Sequence, residues 1–275
     1  MRLRVSHEIN AVFTPPSSLS VREIRMTPRT YDGQYVGEWR IDVGHDCWLD
    51  RVADALGNTV HDFTVTGPAG SLSIVAAGEV EVDDTNGVLQ AGHERLPPAL
   101  FLRETRLTAA GEAVRALAGE SAAAGTGPLD RCHALMAILA ERFEIGTAEE
   151  AEVTGTVDRT AEETALAVAG SPTGLAHVFV AAARVLQIPS RFVTGYLWRG
   201  DARDDGEAAH AWAEAHVPGL GWVGFDVAEN RCPTDAYVRV AAGFDQNGAA
   251  WVRGADRGVD RMATTSRAVI RRRDG

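Results

Sequence analysis

The sequence predicts an α+β protein, with an N-terminal antiparallel β domain followed by helices packed on a second antiparallel sheet. Three observations carry this expectation. Apolar and polar residues alternate through much of residues 1–90. Between residues 129 and 186 the apolar residues recur at helical spacing. From Ser190 the period returns to two, around a Gly-containing turn at residues 218–221.

In the first region Leu3, Val5, His7 and Ile9 share one face of an alternating segment, and Trp39, Ile41 and Val43 repeat the pattern. Gly57-Asn58 is a turn signal ahead of Val60, Phe63 and Val65. Leu72, Ile74 and Ala76 alternate next, with Val80 and Val82 following across Gly78. Spacing of this kind fits a sandwich-like domain over residues 1–90. Gly and Pro then mark a connection that begins near Asp84, and a short helix is expected within 91–128. The stretch Ser-Ala-Ala-Ala-Gly-Thr-Gly-Pro at 121–128 breaks the helical pattern.

Residues 129–275 read as the second domain. Leu129, Cys132, Leu135, Met136, Leu139 and Phe143 lie on one helical stripe. Thr160 followed by Glu163 is a capping box that opens a short helix. Another helix presents Leu175, Val178, Phe179, Ala182, Val185 and Leu186, and Pro189 ends it. Residues 191–198, rich in β-branched and aromatic side chains, predict a strand, and a polar loop over 199–207 follows. Strands near 209–217 and 222–226 flank the turn Pro218-Gly219-Leu220-Gly221.

Composition narrows the function classes. A net charge of -11 argues against nucleic acid as a partner, since phosphate contacts need clustered Lys and Arg. The basic run Arg271, Arg272, Arg273 reads as a solvated tail. No apolar stretch approaches the roughly 20 residues of a membrane span, so no membrane association is expected. The N-terminal residues lack an apolar signal core, and Cys47, Cys132 and Cys232 are few and widely spaced. A cytoplasmic protein with reduced thiols is the expectation. HExxH and paired CxxC patterns are both missing, so neither a metal site nor a cofactor is expected.

Ala176-His177-Val178-Phe179, with Ile188-Pro189-Ser190-Arg191-Phe192-Val193-Thr194-Gly195-Tyr196, resembles the core helix and following strand of bacterial transglutaminase-like proteins. His210-Ala211-Trp212 is similar to that family's histidine strand, and Gly221-Trp222-Val223-Gly224-Phe225-Asp226 to its aspartate strand. The resemblance spans about residues 160–254 and, more weakly, the β domain before it. It implies a core related to the transglutaminase and papain-like cysteine proteases. In such a core a cysteine at the helix start attacks an amide carbonyl, His210 acts as base and Asp226 orients the imidazole.

The cysteine position departs from the pattern. Aligned on Ala176-His177, the chain reads Gly170-Ser171-Pro172-Thr173-Gly174-Leu175, and Pro172 stands where the resemblance places the nucleophile. Proline fits the first turn of a helix, where its missing N–H is no loss, but it supplies neither nucleophile nor proton. Ser171 and Thr173 flank the position, and capping is the reading that competes with catalysis for both. Cys232 follows Asp226 closely, but a lone cysteine beside Pro233 also reads as a small apolar residue. His177 reads as a core histidine. Trp212, Trp222, Tyr196 and Thr173 are candidate ligand-contacting residues, with core packing as the alternative for the tryptophans.

Three functions follow from these residues. The first is a pseudoenzyme that binds a peptide, an amide-bearing ligand or a partner protein. The second is an amidase, peptidase or acyl transferase that uses another nucleophile, or water activated by His210 and Asp226. The third is a structural subunit beside an active paralogue or, as the resemblance implies, an ATP-grasp-type peptide ligase.

Overall fold

The computed structural model describes residues 1–89, 96–146, 159–200 and 208–273. It opens on a long strand, β1 (Arg2–Thr27), whose Leu3, Val5, His7, Ile9, Ala11 and Phe13 are buried while Arg2, Arg4, Ser6 and Glu8 are exposed. The parity then changes: beyond Pro15 and Pro16 it is Ser20, Arg22 and Ile24 that are buried. A register shift against the neighbouring strand between Val12 and Leu19 causes the change, because an irregular ladder at the prolines offsets the two-residue period.

β2 (Gln34–Val43), β3 (Asp50–Ala53) and β4 (Thr59–Val82) follow, all antiparallel, with β1 and β4 at the centre of the sheet. The Gly57-Asn58 turn joins β3 to β4 as expected, with Gly57 at φ +78°. Trp39, Ile41 and Val43 on β2 are half-buried, as suits an outer strand. The short strand β5 (Val88–Leu89) then leaves the first sheet for the second.

The helical region holds a 3-10 turn (Pro98–Leu102), α1 (Glu112–Ala124) and α2 (Pro128–Arg142). Helix α1 runs on into the predicted breaker before Gly125 stops it. A two-residue parallel pair, β6 (Glu144–Ile145) with β7 (Ala169–Gly170), brackets α3 (Ala161–Ala165). The capping box at α3 is realised: the Glu163 N–H donates to Thr160 Oγ1, and the Thr160 N–H donates to the Glu163 carboxylate. Helix α4 (Pro172–Val185) is buried on every side from Gly174 to Arg184, where the sequence suggested a single stripe. It lies between the second sheet and helices α1, α2 and α3.

That sheet contains β8 (Ser190–Leu197), β9 (Ala209–Val217), β10 (Gly221–Phe225) and β11 (Tyr237–Gly243), in the order β11-β8-β9-β10-β5, all antiparallel. Gly219 and Gly221 take positive φ in the β9–β10 turn. Of the loop expected over 199–207, residues 201–207 lie outside the described residues. A short helix, α5 (Gln246–Ala249), follows β11.

The final strands correct the sequence-based division at residue 129. β12 (Val252–Arg257) and β13 (Arg261–Arg272) pair with the two halves of β1, so the end of the chain completes the first sheet instead of the core. Arg271 to Arg273 follow suit: Arg271 and Arg272 lie on β13, and Arg273 pairs with Glu79. Nothing in the alternation of residues 252–272 says which sheet they join, because β1 offers the same unpaired edge to any strand of matching period.

The two halves are joined by side chains. Amides from the first domain satisfy the free edge of β11: Gln34 exchanges hydrogen bonds with the Arg239 backbone (2.8 and 2.9 Å), and Asn58 does the same with Ala242 (both 2.8 Å). The His7 ring bonds Tyr196 Oη and Ser266 Oγ and meets Trp251 edge-on. On the face of the second sheet away from α4, the fully buried Glu214 carboxylate receives Arg191 Nε at 2.5 Å and Arg239 Nε at 2.6 Å. Arg191 also lies 3.9 Å over the Trp222 ring.

These buried groups make two measurable predictions. Burial would raise the Glu214 carboxyl, but Arg191 and Arg239 pull it down to about 2. Glu214→Gln leaves two guanidinium groups short of their counter-charge and lowers unfolding free energy by about 3–5 kcal/mol in denaturant titration. Burial pushes His7 down to about 3 and His177 to about 4, from 6.5. Both stay neutral in the fold while the unfolded chain takes up protons. The stability they contribute is complete above pH 6.5 and is lost as pH falls toward 4 and then 3. Thermal unfolding followed across that window shows Tm dropping with acid; a constant Tm contradicts the assignment.

Candidate active site

Helix α4 runs back along β8, so that its start and His210 lie toward the same end of the sheet, with α4 on one face and the His210 side chain on the other. Arg184, in the last turn of α4, donates to the carbonyl of Ser190, the first residue of β8, at 2.9 Å. The chain reverses between them, and α4 packs along β8 and β9. The helix start therefore lies near the end of the sheet where β8 finishes and β9 begins, and Ala176 belongs to the same buried cluster as Tyr196 and Ala211. Pro172 is the first residue of α4, half-buried, behind the N-cap Ser171, whose Oγ accepts the Gly174 N–H at 3.2 Å. Ser171 is thus occupied as a cap. Thr173 is half-buried in the same turn.

β9 sends Ala211, Ala213 and Ala215 toward the apolar clusters, and His210, Trp212 and Glu214 to the opposite face. His210 Nε2 lies 2.6 Å from Asp226 Oδ2, just past the end of β10, and both side chains are about 1% exposed. Tyr237 Oη donates to the same carboxylate oxygen at 2.8 Å and accepts from Arg231 Nε at 3.0 Å. The Glu229 N–H reaches Asp226 Oδ1 at 3.3 Å. On the other side of the ring, Arg199 Nη2 lies 3.3 Å from His210 Nδ1, and Arg199 Nε pairs with Glu229 at 2.8 Å. A closed polar circuit therefore runs from Asp226 through Tyr237, Arg231, Glu229 and Arg199 to His210.

Trp212 packs over His210 with centroids 6.4 Å apart and meets Tyr237 edge-on at 5.5 Å. Gly195 makes room for it: it lies opposite His210 in the β8–β9 register, and a Cβ there would collide with the Trp212 ring and the Val238 carbonyl. The other proposed contact residues sit elsewhere. Trp222 is buried against Phe101, Arg191 and His216, near the far end of β9. Tyr196 is buried on the α4 side, bonded to His7 and stacked on Trp251. Of the candidate aromatic residues, only Trp212 touches the His210 cluster.

No replacement thiol is poised at the site. Cys232 packs against the α4-side core, and burial raises its thiol. Cys132 is fully buried and pushed up to about 12 by burial and by Cys232. His177 accepts the Gln246 N–H on Nε2 and packs on Phe192, as a core histidine does. Among the described residues no group of three His, Cys, Asp or Glu side chains is arranged to hold a metal, and no helix is long and apolar enough to cross a membrane. The sequence reading missed Tyr237, Glu229 and Arg231, and it took Arg199 only as the start of a loop. Their roles come from the turn after Asp226 and from the return of β11, which spacing does not reveal.

A helix packed along an antiparallel sheet that carries a bonded His–Asp pair is the core arrangement that the sequence resemblance implies. The comparisons agree with this geometry. Residues 115–227 match the family model of the transglutaminase-like superfamily, and residues 3–81 match that of the bacterial transglutaminase-like N-terminal region. The chain is thus similar to the transglutaminase-like superfamily over its core and to bacterial transglutaminase-like proteins over its N-terminal sheet. An uncharacterized protein of Mycobacterium leprae (strain TN) is 24% identical over 272 residues, which cover 92% of each chain. The crystal structure of a proposed cysteine protease from Cytophaga hutchinsonii has the same fold, with a TM-score of 0.78 at 17% identity, over 100% of this chain and 91% of that one.

Gly195→Ala is predicted to displace the Trp212 ring and loosen the His210–Asp226 contact. The expected readouts are a destabilisation of about 1–3 kcal/mol and a change in tryptophan fluorescence. A variant as stable as wild type with an unchanged spectrum contradicts the packing role.

Proposed function

We propose that this chain is a non-catalytic member of the superfamily: a fold whose histidine and aspartate are kept while thiol chemistry is deleted at the helix start. One observation carries the reading. Pro172 opens α4, at the position where the resemblance places the nucleophile. A pyrrolidine ring forms no acyl intermediate and passes no proton. Neighbouring groups do not compensate, since Ser171 is engaged as a cap and Cys232 is turned into the apolar core. The role left to such a fold is recognition of a peptide, an amide-bearing ligand or a partner protein.

Hydrolysis and acyl transfer of a broad peptide and acyl-amide panel, compared between wild type and His210→Ala, test this. The expected result is no turnover above background in either protein. Wild-type turnover that disappears in His210→Ala would mean a cysteine-independent enzyme and overturn the proposal.

A further inference from the structure

Resting on the non-catalytic reading, we infer that Arg199 is a positioning residue that caps His210, so that the site is silenced at two places and not only at Pro172. The argument begins with hydrogen-bond chemistry. A guanidinium has five N–H donors and no acceptor, and it stays protonated in proteins. Arg199 Nη2, 3.3 Å from His210 Nδ1, can only donate there, so Nδ1 is the unprotonated ring nitrogen. An ionised carboxylate only accepts, so at 2.6 Å from Asp226 the proton of the ring sits on Nε2. Both neighbours select the same neutral tautomer.

The consequence is chemical. The lone pair on Nδ1 is the one that faces away from Asp226 and would receive a nucleophile's proton; Arg199 occupies it. Protonating Nδ1 would set an N–H against the N–H donors of a fixed cation. The cap is held in place: Arg199 Nε is tied to Glu229 at 2.8 Å, and Glu229 is tied through its own N–H to Asp226. Displacing Arg199 therefore means breaking an ion pair as well as the contact to the ring. Its side chain is about a quarter exposed, so replacing it removes little core volume.

The substitution Pro172→Cys makes the difference measurable. For a thiolate–imidazolium pair to form, the proton of the introduced thiol must move to His210 Nδ1. With Arg199 present that nitrogen is filled, so any thiolate comes from the helix N-terminus and the nearby cation and does not depend on His210. Replacing Arg199 with an uncharged residue opens the nitrogen, and the thiolate then depends on His210. The other thiols add little background, since Cys47, Cys132 and Cys232 are all shifted upward, chiefly by burial.

The experiment has two arms. In wild type, side-chain nitrogen NMR of His210 assigns the tautomer without any substitution; a proton on Nδ1 overturns the inference. In the second arm, ultraviolet thiolate absorbance at neutral pH is compared among Pro172→Cys, Pro172→Cys with Arg199→Leu, and Pro172→Cys with Arg199→Lys, each read against the matching protein that keeps Pro172. Each is repeated with His210→Ala added; the thiolate is expected to fall on that addition with Arg199→Leu and to stay unchanged in the other two, where a cation still fills Nδ1. A thiolate that depends on His210 while Arg199 is intact overturns the capping role. The non-catalytic reading fails separately, through turnover by the wild-type protein on the substrate panel.

Discussion

The buried carboxylate of Glu214 is the interaction on which the arrangement depends. It sits on the central strand of the second sheet and draws in Arg191 from one neighbour and Arg239 from the strand beyond it. Arg191 lies over Trp222 on β10, and the Arg239 backbone receives the Gln34 amide from the first domain. One acidic group thus fixes four strands and the junction with the N-terminal sheet. Charge this deeply buried persists only when paired, and both oxygens of Glu214 are used. His210 and Trp212 leave the same strand on the same face, so the candidate site is built on a surface that this triad has already made rigid.

The second constraint is the closure of the first sheet by the end of the chain. β12 and β13 pair along β1, so the first and last described strands lie in one sheet. Across the junction, Gln34 and Asn58 complete the edge of β11 with side-chain amides in place of a further strand, while His7, Tyr196 and Trp251 fill the space beside it. Together these ties make the N-terminal domain part of what positions β8 and β11, and through them Gly195 and Tyr237.

Much of the fold and part of the site were legible in the sequence. Local signals were the reliable ones: the Thr160–Glu163 box and the turn at 218–221 describe groups that interact within a few residues. The His210–Asp226 pair was legible because a tight turn joins adjacent strands and makes the contact nearly local. Tyr237, Arg199 and Glu229 were not, because their partners are set by how β11 and the segment after β8 return to the sheet. The same reason hides the destination of residues 252–272. Trp222 and Tyr196 show the converse: an aromatic residue near a motif was a candidate ligand contact, yet both are closed to solvent, Trp222 beneath Arg191 and Tyr196 against His7 and Trp251.

Under the proposed reading, proline at the helix start, with the circuit of histidine, carboxylate and tyrosine retained, separates the stability of a catalytic fold from its chemistry. The most direct test of that separation is intact-protein mass spectrometry after exposure of the wild-type chain to activated acyl donors such as thioesters and aryl esters. Unchanged mass is predicted on the proposed reading, which leaves proline where the resemblance places the nucleophile. A stoichiometric acyl adduct that is lost in His210→Ala would contradict the account, by showing a working nucleophile beside this imidazole.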